Sequence, residues 1–173
     1  MRFQFLLVPA ALSAAAPAYG YEYLSLAQAQ AVLFPGARFT PRDMTLSIAQ
    51  IDALMKAGPG NLVSAKVKAW RVSTGGWLFL DQVIGRNDRI SYVVGIGADG
   101  TIKGIEVLVC IPEYDGIRQP KWIGQFLGRR HSNADLTSIV EYISGVTLSS
   151  EHITQGVRRI LATYALFYAP KAE

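Results

Sequence analysis

The sequence predicts an α+β fold, in which an antiparallel meander sheet of about four strands is covered by helices and followed by a long C-terminal helix. Two amphipathic segments, which begin at Ser25 and Ser47, precede the predicted strands. From residue 62 to 109 apolar side chains recur with a period of two between Gly- and Asp-containing turns, which is typical of antiparallel strands. From residue 151 the period becomes helical until a proline at 170, which indicates a terminal helix.

The first 20 residues have the organisation of a secretory signal. Arg2 precedes an apolar run and small-residue sites that end at Ala18 and Gly20. The alternative is an uncleaved anchor, but the run of about 14 residues is shorter than the ~20 that a spanning helix needs. The sequence therefore predicts a signal peptide over residues 1–20 and one domain over residues 21–173. It also predicts export without a transmembrane helix after signal cleavage.

Two helices are predicted before the sheet. Ser25 can cap the first, which runs through Phe34 and ends at a Pro-Gly pair. Ser47 and Gln50 have the spacing of a capping box for the second, and the pair Gly58-Pro59 ends it. Both helices are interpreted as structural.

Four strands are predicted after these helices. The turns at residues 73–76 and 97–100 contain glycines that provide the positive φ angles of tight hairpins. Each strand has one more apolar face, so we expect helices to cover one side of the sheet. The predicted strands are residues 63–71, 77–84, 89–96 and 101–109.

The C-terminal third begins with loops. Residues 110–118 and 132–138 are predicted to be irregular, with a short helix over residues 121–127 between them. The final helix is the clearest element, with Glu151 in its first turn and Pro170 at its end. Its apolar positions are Ile153, Val157, Ile160, Leu161, Tyr164 and Phe167.

Composition excludes several classes of function. Cys110 is the only cysteine and is predicted to be a buried structural thiol, which suits a bacterial periplasmic protein that folds without disulfides. The net charge of +4 is dispersed, so nucleic acid is not expected as a partner. The pairs Arg129-Arg130 and Arg158-Arg159 are predicted to lie on solvated faces; the alternative is a docking patch for an acidic redox partner.

Three local patterns do not define sites. Residues 95–100 match the G-x-G-x-x-G dinucleotide motif, but the strand-like alternation that follows excludes the helix such a motif needs. His131 and His152 are far apart in sequence and predict no metal site. Ser149 and Ser150 lie near His152, but no G-x-S-x-G elbow supports a hydrolase.

The segment 141–150 carries the clearest functional signal. Gly145 permits a sharp turn, serine and threonine hydroxyls surround it, and the free amides at the start of the last helix follow. Such an arrangement suits a phosphate group, which accepts hydrogen bonds from the amides. An ordinary serine-rich helix cap would give the same spacing, so the residues alone leave both interpretations open.

This segment resembles the motif Asp-x-x-Ser/Thr-Gly-Ala-Thr of the FMN-binding domain family. Members include the covalently flavinylated domains in the C subunit of the sodium-pumping NADH:quinone oxidoreductase and in the G subunit of the Rnf complex, and small exported proteins. Here the motif reads Glu141-Tyr142-Ile143-Ser144-Gly145-Val146-Thr147. Further similar segments are 31–36, 76–77, 83–85, 99–100, 122 with 125–128, and 153–157, so the resemblance covers nearly the whole chain after residue 20.

The resemblance implies that Thr147 is esterified to the phosphate of FMN by a separate flavin transferase that uses FAD. It also implies a cofactor pocket. Trp122 or Phe126 is a candidate for a place near the flavin ring; the alternative for both, given their amphipathic spacing, is packing in the core. Glu141 and Val146 replace the usual Asp and Ala within the sequence that the transferase recognises. The preceding acidic-aromatic-glycine loop is altered, so Glu113 and Tyr114 are not predicted as flavin contacts. The expected pocket residues besides Thr147 are Ser144, Gly145, Val146, Leu148, Ser149 and Ser150.

The resemblance predicts an exported electron carrier that relays electrons between redox partner proteins, some of them membrane-bound. Two alternatives remain open from the sequence. One is a non-redox periplasmic binding or assembly module of the same fold that has lost flavinylation. The other is a flavin-dependent reductase with a substrate of its own.

Overall fold

A computed structural model describes residues 20–58, 62, 64–86, 88–133 and 136–170. The predicted signal peptide therefore lies outside the described residues, apart from Gly20. No helix within the described ranges is long and apolar enough to cross a membrane.

An antiparallel sheet forms the centre of the domain. Its strand order is β1-β7-β6-β5-β4-β2, and β3 pairs with a separate part of β4. The strands are β1 (Tyr21–Glu22), β2 (Phe39–Pro41), β3 (Met44–Thr45), β4 (Lys66–Val72), β5 (Trp77–Ile84), β6 (Arg89–Ile96) and β7 (Ile102–Cys110).

The predicted four-stranded meander is confirmed as β4 to β7, but the strand count of about four is too low. The additional strands β1, β2 and β3 contain two or three residues each, too few to display a period of two in the sequence. Their pairing depends on the register of long strands distant in the chain. For example, Tyr21 pairs with Cys110, and Phe39 pairs with Val72.

Two capped helices precede the meander, as predicted. In each of them a serine hydroxyl accepts a hydrogen bond from the backbone of a glutamine three residues later, and the glutamine side chain bonds back to the serine amide. The α-helices are α1 (Leu26–Leu33), α2 (Ile48–Ala57), α3 (Pro120–Ile123), α4 (Leu136–Ile139) and α5 (Thr147–Thr163).

Helices cover both faces of the sheet rather than the single face predicted. On one face Leu33 and Phe34 of α1 and its C-terminal cap pack with Leu78 and Val93. On the other face the apolar side of α5, including Val157, packs over the opposite side chains of β5 and β6. Helices cover both faces because β5 and β6 have apolar side chains on both: Leu78 and Val93 pack on the side of α1, and Phe79 and Val94 on the side of α5.

Several boundaries in the C-terminal third differ from the prediction. Residues Pro112–Arg118, expected to be a loop, form a 3-10 helix, and α3 continues as a 3-10 turn through Phe126. The last helix begins at Thr147, four residues before Glu151, and ends in a π-helical turn at Tyr164–Tyr168. The serine-rich segment therefore belongs to the helix, and Glu151 lies in its second turn rather than in the first turn as predicted.

Arg159 is buried rather than solvated. Only 4 % of this residue is exposed, and its Nη2 lies 2.5 Å from Oδ2 of Asp81 on β5. The same carboxylate accepts a hydrogen bond from the hydroxyl of Tyr92 on β6 at 2.7 Å. A guanidinium on the sheet-facing side of α5 can be buried because this carboxylate pairs with it, whereas Arg158 lies half-buried on the adjacent side.

Candidate functional site

A tight turn precedes α5. The amide of Val146 donates a hydrogen bond to the carbonyl of Ile143 at 3.1 Å, and Gly145 has a φ of +87°. A positive φ at the third position is typical of a type II turn and favours glycine there. Ser144 and Gly145, the two central residues, are exposed.

Thr147 lies at the first helical position after this turn. Its side chain is exposed, and its Oγ1 donates a hydrogen bond to the Ile143 carbonyl at 3.3 Å. Val146 caps the helix without a side-chain hydrogen bond, and Ser150 is the first residue whose amide bonds back to it, at 3.0 Å. The amides of Thr147, Leu148 and Ser149 therefore have no acceptor within the helix, and they form its positive end.

Ser150 holds the turn against the helix. It is fully buried, its Oγ accepts a hydrogen bond from the amide of Ile143 at 3.3 Å, and it donates to the Thr147 carbonyl at 2.9 Å. The Ser150 hydroxyl, expected to line a pocket, thus faces the backbone that it supports.

Ser149 lines a cavity beside Thr147. Only 1 % of the residue is exposed, and its Oγ has no hydrogen-bond partner among the described residues. Burying a hydroxyl without a partner costs about 1–3 kcal/mol, so such an atom is expected to meet a ligand or a water. The cavity has a volume of about 300 Å³ and is lined by Arg86, Tyr114, Gly145, Val146, Thr147, Leu148 and Ser149.

Arg86 and Tyr114 were not predicted as site residues. The amide of Arg86 donates a hydrogen bond to the Tyr114 hydroxyl at 2.9 Å, which fixes the β5–β6 hairpin against the 3-10 helix. The only sequence signal for Arg86 was its position directly after the similar segment 83–85. Tyr114 was set aside because its loop departs from the family pattern, yet it lines the cavity.

His152 connects the two walls of this cavity. Its Nδ1 lies 2.5 Å from the carbonyl oxygen of Ile84, so it donates to that oxygen as the Nδ1–H tautomer. Ile84 ends β5, two residues before Arg86, and His152 lies on α5 five residues after Thr147. The contact therefore fixes the distance between the arginine and the threonine backbone.

A second, wider hollow lies on the other side of the turn. Its volume is about 480 Å³, and Trp122 forms part of its wall while donating from Nε1 to the Glu141 carbonyl at 3.0 Å. The Glu141 amide in turn donates to Oε1 of Gln125 at 2.8 Å. The lining residues are Gly116, Gln119, Lys121, Trp122, Gln125, Glu141, Tyr142 and Ile143.

The two hollows adjoin at the turn. Ile143 lines the wider one and Val146 the smaller one, and both side chains pack against Gly116. A Cβ added at Gly116 would lie 3.2 Å from Ile143 Cγ2 and 3.5 Å from Val146 Cγ2. Phe126 is fully buried behind Trp122, with ring centroids 5.0 Å apart, so of the two candidate aromatics only Trp122 reaches a hollow.

Fold and site together define a class: an α+β domain with free helix amides, an arginine and hydroxyls around one hollow, beside a second hollow that is partly aromatic. A family described as FMN-binding domain matches residues 85–162. This match confirms the resemblance to the FMN-binding domain family over that segment, which contains every lining residue of both hollows. Comparison with curated proteins gave no match.

Proposed function

We propose that this protein is an exported electron carrier whose FMN is joined to Thr147 through a phosphoester bond. The observation that carries the proposal is the position of Thr147: an exposed hydroxyl at the start of α5, next to three amides without helical acceptors and to the Ser149 hydroxyl. A phosphate bound there would satisfy donors that the protein leaves without acceptors.

The attachment reaction is a phosphoryl-type transfer from FAD by a separate flavin transferase. The Thr147 oxygen forms a bond to the phosphorus of the FMN half, the pyrophosphate bond breaks, AMP leaves, and the hydroxyl proton passes to a base of the transferase. Thr147 is exposed at the start of α5, and Glu141 and Ser144, which precede it, are exposed as well, so the transferase can approach all three. The half-buried Val146 packs against Gly116, a placement that accommodates the branched residue.

The wider hollow is the proposed binding place of the flavin ring. Trp122, Tyr142 and Ile143 would hold a planar ring there, and Lys121 and Gln125 provide polar groups at its rim. Bound FMN supplies one- and two-electron chemistry, and the protein positions the ring and limits its contact with water. A covalent link keeps the cofactor with the protein where no free flavin is available for rebinding.

We propose an electron carrier rather than a reductase because the wider hollow is open to solvent, which suits the approach of a protein partner. Redox proteins, among them membrane-bound ones, are the proposed electron donors and acceptors. The openness of the hollow beside Tyr142, whose side chain is exposed, would let a partner approach the ring edge.

Production with and without a flavin transferase tests the anchor. We expect a flavin-sized mass increase on the peptide that contains Thr147, only in the presence of the transferase. Thr147→Val should abolish it while leaving the thermal unfolding unchanged, because the substitution keeps the volume of an exposed side chain. The matched control is Thr45→Val, an exposed threonine in β3 that should leave the modification intact.

A colourless product with an unmodified Thr147 would contradict the proposal and favour the non-redox binding module. If the flavinylated protein instead reduces a soluble acceptor with saturation kinetics, the reductase is favoured. A carrier should only equilibrate its electrons with redox proteins.

A further inference from the structure

We propose that Ser149 and Arg86 form a phosphate-selective subsite that binds FMN before, and independently of, the covalent bond. The identity of the ligand rests on the proposed function. The subsite itself rests on the cavity beside Thr147, where a buried donor without a partner, the positive end of a long helix and a cation meet.

Ser149 provides the first argument, because the β5–β6 hairpin lies directly against its hydroxyl at Gly85. A Cβ added at Gly85 would lie 3.1 Å from the Ser149 Oγ and 2.6 Å from the Tyr114 ring. Gly85 therefore permits the β5–β6 hairpin to close over the serine without offering it a hydrogen bond. The hydroxyl has no acceptor among the described residues, and the adjoining cavity is where a ligand could provide one.

The electrostatics of the cavity provide the second argument. The amides of Thr147, Leu148 and Ser149 begin a helix of 17 residues, and Arg86 is the one charged residue among the seven that line the cavity. None of these seven residues is acidic. A phosphate monoester carries about −1.5 to −2 charges at neutral pH, so this environment favours it over a neutral hydroxyl.

The consequence is selectivity between two flavins that share the same ring. Riboflavin has a hydroxyl where FMN has the phosphate, so it would leave Ser149 and Arg86 without an anionic partner. A hydrogen bond to a charged group corresponds to about ten- to a hundredfold in affinity. We therefore expect unmodified protein to bind FMN at least about tenfold more tightly than riboflavin.

The test uses full-length protein produced without a transferase and titrated with FMN or riboflavin, followed by flavin fluorescence. Ser149→Ala and Arg86→Gln should each weaken FMN binding about tenfold and leave riboflavin binding unchanged. Inorganic phosphate should compete with FMN only. Arg89→Gln removes the same charge from the same hairpin, outside the cavity lining, and is the matched control.

Thermal unfolding of the ligand-free variants separates binding from folding. Ser149→Ala removes a buried hydroxyl without a partner, so its melting temperature should equal or exceed that of the wild type. Equal affinities for the two flavins, no binding of either flavin, or FMN binding unaffected by both substitutions would overturn the subsite. Phosphate selectivity without a covalent adduct in the transferase experiment would instead contradict the Thr147 anchor and leave the subsite intact.

Discussion

At the scale of single residues, Gly145 controls how Thr147 is presented. Its φ of +87° lies in the left-handed region, and nothing lies within 4 Å of the position that a Cβ would occupy. An alanine there would therefore be disfavoured by backbone strain alone. The turn between Ile143 and Val146 depends on this one residue.

Gly145→Ala should lower the free energy of unfolding by about 1–2 kcal/mol, because alanine resists the left-handed conformation. Gly124→Ala is the matched control: that glycine also has open space around it but has a φ of −57°. We expect the control to be neutral or slightly stabilising. Urea denaturation of both variants measures the difference, and equal stabilities would contradict the assigned strain.

The sequence predicted only those site residues that lie close to one another along the chain. Thr147 and its neighbours form a continuous motif, so their proximity needed no tertiary information. Arg86 and Tyr114 reach the same cavity from a hairpin and a 3-10 helix, and no local pattern links them to Thr147. The Ser149 hydroxyl has no hydrogen-bond partner among the described residues, and this too can be seen only in the folded structure, where the β5–β6 hairpin covers it.

At the scale of elements, the docking of α5 on the sheet depends on a buried polar cluster. Arg159 and Tyr92 share the carboxylate of Asp81, and burial raises the pKa of the Tyr92 hydroxyl well above its usual value. Gly156 lets the helix approach, since a Cβ added there would fall on the Tyr92 hydroxyl. Helix and sheet are thus joined by matched charges as well as by apolar contacts.

Arg159→Met should destabilise the protein by about 3–5 kcal/mol, because it leaves the Asp81 carboxylate without its cation at a largely buried position. Arg158→Met, at the neighbouring half-buried position, should change stability by about 0.5 kcal/mol or less. Chemical denaturation measures both. The double variant Asp81→Leu with Arg159→Met should be more stable than Arg159→Met alone; a further loss would contradict the unpaired-charge explanation.

Helices and strands were predicted correctly where they are long enough for the periodic pattern of apolar residues to be recognised. The four meander strands and the two capped helices have seven or more residues each and clear signals at their ends. The strands of two or three residues and the early start of α5 were missed, since tertiary pairing and the turn at Ile143–Val146 determine them. Apolar residues on both faces of β5 and β6 were present in the sequence, and they explain the second helical layer.

At the scale of the whole molecule, the Cys110 thiol links stability to alkaline pH. Burial raises its pKa from 9.0 to about 11. The unfolded chain therefore loses this proton at a lower pH than the folded protein, so the unfolded state is favoured as the pH rises from 9 to 11. Well below pH 9 the thiol is protonated in both states, so it causes no loss of stability there.

The free energy of unfolding should accordingly fall by up to about 3 kcal/mol from this group between pH 9 and pH 11. Cys110→Ala, which cannot ionise, should have a smaller slope over the same range. Urea denaturation at several pH values, with a reductant present, provides the comparison. Parallel pH profiles for the two proteins would show that the thiol does not contribute.

The sheet also ends in a particular way at its two borders. β1 has two residues and β2 has three, the last of which is Pro41, which has no amide hydrogen to donate. Strands this short offer few backbone groups of their own on which an extended segment of another chain could align, whereas β7 pairs with β1 only at Val109 and Cys110. At β1 and β2, the addition of a strand from another copy, a usual route from a β-rich domain to fibrils, is therefore disfavoured.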